Sequence, residues 1–155
     1  MLRRHWGRSV MVLLTAALTV GWLPTAQADQ TFHTTRYALS SVVDGSVHGA
    51  VIDIHTQGTR IYAQERYVLR AVLPGETYVM NLYAYSDSDC GVLVVPVPGT
   101  ATMTANMSGN ARGAMTFVPA DVEGLPRTTY YLRWQVTDST GAVHFQTACV
   151  AVALD

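Results

Sequence analysis

Apolar and polar positions alternate along most of this chain from Val47 onward, and the alternation breaks only at glycine, proline or clusters of short polar residues. A period of two over runs of five to ten residues is the signature of a strand with one face buried. In residues 47–56, Ala50, Ile52 and Ile54 take one face and Val51, Asp53 and His55 the other. In residues 60–73, Ile61, Ala63, Tyr67, Leu69, Ala71 and Leu73 share a parity, with Tyr62, Gln64, Arg66 and Arg70 opposite. Glu65 falls on the apolar parity. A bulge near Gln64–Glu65 is expected to re-aim it. In residues 77–85, Tyr78, Met80, Leu82 and Ala84 face one way, and Val79, Asn81, Tyr83 and Tyr85 the other. In residues 128–137, Tyr130, Leu132, Trp134 and Val136 are expected inward, which leaves Tyr131 and Arg133 outward.

The punctuation between these runs is specific. Leu73-Pro74-Gly75-Glu76 predicts a type II turn, because proline presets φ at its second position and glycine accepts positive φ at its third. Residues 92–97 are apolar, but Pro96 and Pro98 confine them to an edge strand or crossover. Residues 100–107 and 113–118 flank Ser108-Gly109-Asn110 and predict a hairpin. Asp138-Ser139-Thr140-Gly141 turns the chain into a last run, 142–154. No stretch after residue 28 has a helical period. About seven to eight strands with turns every eight to twelve residues predict an all-β fold, an antiparallel β-sandwich.

The amino-terminal segment is of a different kind. Arg3, Arg4 and Arg8 precede an apolar run ending at Pro24, and Ala26-Gln27-Ala28 offers a small-x-small cleavage site. Residues 1–28 therefore read as a cleaved secretory signal peptide and 29–155 as a single domain, secreted to the periplasm or the medium and not inserted in a membrane after cleavage. Loss of the three leader arginines takes the formal charge from −1 to −4. That balance disfavours nucleic acid and anionic lipid as partners. All ten basic residues are arginine, so Schiff-base chemistry and a GxxxxGK[ST] phosphate loop are excluded. The arginine-led leader and lysine-free composition look bacterial. Two cysteines in an exported chain, Cys90 and Cys149, are expected to form one disulfide. Neither belongs to a CxxC, so neither points to zinc or redox catalysis.

Leu73-Pro74-Gly75-Glu76-Thr77-Tyr78 and Leu125-Pro126-Arg127-Thr128-Thr129-Tyr130 echo one another, each leading into an alternating strand. Both resemble the tyrosine corner of fibronectin type III and related immunoglobulin-like domains. The resemblance implies an immunoglobulin-like sandwich in which the hydroxyls of Tyr78 and Tyr130 bond back to the backbone just upstream. The chain departs from that family in carrying two such corners and in continuing long after the first.

Candidate chemistry is sparse. No GxSxG elbow is present. Asp53 and His55 lie two apart on one strand face. That spacing suits a shared metal ion, with His33, His48 or His144 as further ligands, but the two read equally as a polar pair facing solvent. Glu65 and Glu76 are acids of the type a glycoside hydrolase needs in pairs, and nothing in the sequence singles them out. No cofactor, metal ligand or catalytic residue is assigned. The stronger signal is a set of aromatic and arginine side chains on outward parities: Tyr62, Tyr83, Tyr85, Arg66, Arg70 and Arg133. Tyrosine and arginine are enriched at binding hot spots. The expectation is a small secreted, non-enzymatic module for binding, adhesion or envelope structure, with an extracellular protein or glycan as partner. The alternative is an extracellular hydrolase or metal-dependent enzyme.

Overall fold

The computed structural model describes residues 32–56 and 62–153. The leader segment read from the sequence lies outside the described residues. Within them nine antiparallel strands form: β1 (His33–Ser41), β2 (Val47–His55), β3 (Ala63–Leu69), β4 (Thr77–Tyr85), β5 (Leu93–Thr104), β6 (Ala111–Phe117), β7 (Thr129–Thr137), β8 (Val143–Gln146) and β9 (Val150–Ala153). Among the described residues the helical part is one 3-10 turn, Pro119–Val122.

The strands make one continuous sheet in the order β5-β4-β7-β8-β1-β2-β3-β6, with β9 also paired to β7. Short β8 is the join. It pairs with β7 through Gln146, Phe145 and Val143, and with β1 through Gln146 and Phe145. The sheet curls into a half-barrel until its terminal strands meet. A methyl group at Gly113 of β6 would lie 2.9 Å from Ala101 Cβ and 2.8 Å from Met103 Cγ of β5, so glycine permits this approach where a larger residue would not.

The paired hairpin expected over 100–118 does not form: β5 pairs with β4, and β6 with β3. The two ends of the intervening turn are held by different partners. Ala105 exchanges backbone hydrogen bonds with Gly75 and Glu76 at the start of β4, whereas Gly109 O accepts from Val72 N–H beyond β3. The prolines act as expected, since Pro96 lies on β5 at the edge of the sheet.

Both halves of the curl feed one core. Trp134, Tyr67, Leu39, Leu69, Met80, Met103, Val51 and Val136 are fully buried. Tyr37 stacks on Trp134 with ring centroids 5.1 Å apart. The inward parities of β4 and β7 are those of the sequence pattern. On β2 the buried parity is Val51 and Asp53, while Ile52 and Ile54 are half-buried on the outer face. On β3 the expected bulge is absent. Its register with β2 and β6 runs unbroken through Gln64 and Glu65, so Glu65 stays inside between Ala63 and Tyr67. The strand also ends early, at Leu69. Ala71 takes a positive φ of 52°, which puts Val72 into the core and leaves Leu73 exposed.

The type II turn is in place, with glycine at the position that demands positive φ. Glu76 N–H donates to Leu73 O at 3.2 Å. Gly75 has a φ of 77°. Both corner tyrosines bond to backbone just upstream. Leu73 N–H donates to Tyr78 Oη at 3.3 Å, and Tyr130 Oη donates to Pro126 O at 3.2 Å. Tyr78→Phe and Tyr130→Phe are each expected to lower stability in urea unfolding by about 1 kcal/mol, the net value of one such bond. An unchanged midpoint for both variants would show that the corners are incidental.

Cys90 and Cys149 form the disulfide, with Cα atoms 5.8 Å apart. It ties the β4–β5 loop to the bend between β8 and β9. The Asp87 carboxylate shapes that loop by accepting from the N–H groups of Val92 and Gly91, which holds its pKa below the usual carboxylate value.

Candidate functional site

The interior of the curl is solid at one end and hollow at the other, and side-chain size decides which. Successive inward rungs on one half are Leu39–Gly49–Leu69–Ala111, Tyr37–Val51–Tyr67–Gly113 and Thr35–Asp53–Glu65–Met115. On the other half, Met80–Val136 and Leu82–Trp134 give way to Ala84–Leu132 and then Tyr130–Val152. Trp134, Tyr67, Met80 and Met103 fill the first end. Ala63 and Ala84 stand where the halves face each other at the second, and a cavity of about 290 Å³ remains between them. The segment between β6 and β7 closes one side, with Val122 and Leu125 among the lining residues. That segment is held by Val118 N–H donating to Asp121 Oδ2 at 2.7 Å and Asp121 N–H donating to Val118 O at 2.9 Å.

Asp53, Glu65 and His55 break the apolar wall on one side, and Asp121 lines it from the segment between β6 and β7. Asp53 is 4% exposed and Glu65 3%. They are direct cross-strand partners on β2 and β3, a position where two like charges destabilise a sheet. Glu65 Oε2 accepts from Tyr67 Oη and from Trp134 Nε1, the latter at 2.8 Å. Burial pushes the Glu65 carboxyl up to about 7, and the Asp53 charge adds to the rise, against the two donated hydrogen bonds and His55. Loss of hydration disfavours the charged form of an acid, which is the larger effect here. Tyr67 is pushed upward by its own burial and then by Glu65. His55 Nε2 lies 3.1 Å from Asp53 Oδ2, and the His55 ring stacks on His33 with centroids 4.5 Å apart. Asp53 Oδ1 is buried and receives no hydrogen bond.

The residues named from the sequence fall in three places. Tyr83, Tyr85, Tyr131 and Arg133 share the outer face of β4 and β7, where Tyr83 is in register with Arg133 and Tyr85 with Tyr131. The Arg133 guanidinium lies 5.9 Å from the Tyr85 ring centroid and donates to Asp89 O at 3.5 Å. Arg66 and Arg70 are exposed on the other side of the join, Arg66 on β3 and Arg70 just beyond it. Tyr62, expected outward, turns to the cavity, edge-on to His55 at 5.7 Å, with its hydroxyl 3.4 Å from Ala153 O. One continuous tyrosine and arginine surface is therefore not formed by all six.

Asp53 and His55 face inward, not to solvent, because the inner parity of β2 runs through Val51. His48 and His144 are engaged elsewhere, with Ser46 and Asp138 respectively, and no cluster of three or more metal-ligating side chains occurs among the described residues. Glu76 sits in the turn before β4, away from the cavity. Tyr67 and Trp134, the donors to Glu65, carry no polar signature in the sequence. The one legible sign is an acid, Glu65, lying within an apolar parity.

Fold and site together define an all-β, disulfide-closed half-barrel with an apolar cavity and a buried carboxyl pair. No protein-family profile matches the chain, and no curated protein is found to be related to it.

Proposed function

We propose that this chain is an exported, non-enzymatic binding module that takes a small, mainly apolar molecule into the open end of its curled sheet. The carrying observation is the cavity itself, apolar over most of its wall with a few convergent polar groups at one side. That is the usual composition of a small-molecule site. The disulfide supports export, since such bridges persist in oxidising compartments. In this reading the curled sheet is a relative of the immunoglobulin-like sandwich in which β8 passes between the two layers. The paired tyrosine corners support that kinship. The Tyr83–Tyr85–Arg133 face is then the surface available to a protein or glycan partner.

The volume has room for about ten heavy atoms, at the ~30 Å³ that a water molecule takes up. Octanol is thus a fitting probe. Titration followed by tryptophan fluorescence is expected to show saturable binding, because Trp134 lies directly behind the cavity wall. Ala84→Phe fills the space between Val95 and Leu132. It should weaken that binding by about tenfold or more. Absence of saturable binding in the wild type would end the proposal.

The buried carboxyl pair gives a hydrolytic reading its one specific support. A carboxyl held near neutrality beside a second carboxylate has the form of a general acid and its partner. Turnover of a chromogenic glycoside panel, abolished in Glu65→Gln, would replace the binding reading by that one.

A further inference from the structure

We propose that the ligand carries an ammonium head, which binds between Asp53 and Glu65 and displaces the proton of Glu65. The inference rests on the cavity as a binding site and names the class of molecule that the site takes.

The argument starts from Asp53 Oδ1, an acceptor with no donor in a residue that is only 4% exposed. An unsatisfied buried carboxylate oxygen is costly, and few native structures keep one without a reason. The neighbouring donors are committed. Tyr67 Oη and Trp134 Nε1 both go to Glu65 Oε2, and His55 Nε2 goes to Asp53 Oδ2. With Oε2 already accepting twice, a proton on Glu65 belongs on Oε1. Asp53 stands at the directly opposed ladder position. Without ligand, burial favours the protonated form of Glu65.

A cation changes that balance. Among the described residues no arginine lines the cavity, and its acids are Asp53, Glu65 and Asp121, with Asp121 occupied by Val118 N–H. An ammonium group brings three donors and a positive charge, enough to satisfy Asp53 Oδ1 and to replace the Glu65 proton. Aspartate χ2 is broad, so the carboxylate turns toward an arriving donor at little cost. The exchange balances: R–NH3+ enters, the Glu65 O–H bond breaks, H+ leaves to solvent, and two carboxylates hold one ammonium. The alkyl body lies against Leu82, Met115 and Leu132. The other titratable groups facing the pair are His55 on β2 with His33 stacked on it, Tyr37 on β1, Tyr67 on β3 and the tyrosines of the wall.

The test compares octylamine, octanol and octanoate on the wild-type protein by calorimetry. It is run at about pH 6 in two buffers of different ionisation enthalpy, where Glu65 is mostly protonated. Octylamine is expected to bind about tenfold or more tightly than octanol, with octanoate weakest, and to release close to one proton. At about pH 8 the release should vanish. Glu65→Gln should bind octylamine without releasing a proton at either pH, which separates Glu65 from the nearby histidines. If octanol binds as tightly as octylamine, or octylamine binds without proton release, the ammonium assignment fails while the cavity reading stands. If none of the three binds, both fail.

Discussion

Replacing Cys90 and Cys149 together by alanine is expected to lower the stability of the folded domain by about 4 kcal/mol. The bridge spans 59 positions, and in the chain-entropy model a closed loop of that length removes about that much freedom from the unfolded chain. The position matters as much as the length. The β4–β5 loop carries Cys90 at a positive φ of 54°. Non-glycine residues enter that region at a cost of roughly 1 to roughly 2 kcal/mol. The bridge fixes that conformation against the bend between β8 and β9. Without it, the edge strand β5 keeps its ladder to β4, but its entry loop is held by hydrogen bonds alone, those of Asp87 together with Ser86 N–H to Val92 O and Arg133 to Asp89 O. Urea unfolding of the double alanine variant, monitored by Trp134 fluorescence, measures the loss. A change below about 1 kcal/mol would show that the unfolded chain gains little freedom when the bridge is cut.

Strands whose inner face is apolar are legible in the sequence, and strands whose inner face carries polar groups into the cavity are not. Residues 77–85 and 128–137 carry Met80, Leu82, Trp134 and Val136 at even spacing, and hydrophobicity alone sets their phase. The disulfide is legible from two cysteines behind a leader-like segment. β1 escapes the pattern because its inward residues, Thr35, Tyr37 and Leu39, alternate with no clear contrast to Thr34, Arg36 and Ala38. β2 reads with the wrong face inward for a physical reason. Its hydrophobic residues Ile52 and Ile54 lie outside, and Asp53 and His55 lie inside because that face lines the cavity. Glu65 invites a bulge for the same reason, since an acid inside a sheet is unfavourable unless donors reach it. Trp134 and Tyr67 supply those donors, and Trp134 comes from 69 positions away. Local rules fail at such sites because the donors that stabilise the polar residue come in part from a strand distant in sequence.

The cost of that acid should be measurable as a pH dependence. A carboxyl whose proton is held more tightly in the folded state than in the unfolded one binds more protons when folded. Stability therefore falls as pH rises through the window between the two values. For Glu65 the window runs from about 4.5 to about 7. That corresponds to roughly 3 kcal/mol lost on going from mildly acid to mildly alkaline solution. The depressed carboxylates act elsewhere. Asp44, lowered to about 2 by hydrogen bonds from Ser46 and Ser41, and Asp87 and Asp138, also lowered, contribute stability that is lost only below their unfolded range near 3.8. Glu65→Gln isolates the effect. A glutamine oxygen still accepts from Tyr67 and Trp134. Its amide N–H is a neutral donor beside Asp53 Oδ1, which receives no hydrogen bond. The variant is expected to match the wild type at about pH 5, to exceed it by roughly 3 kcal/mol at about pH 8, and to lose most of the slope between them. Chemical denaturation at a series of pH values tests this. A wild type whose stability is flat or rises across that range, or a glutamine variant that is the weaker protein at the alkaline end, would mean that the fold does not hold the Glu65 proton above its ordinary range.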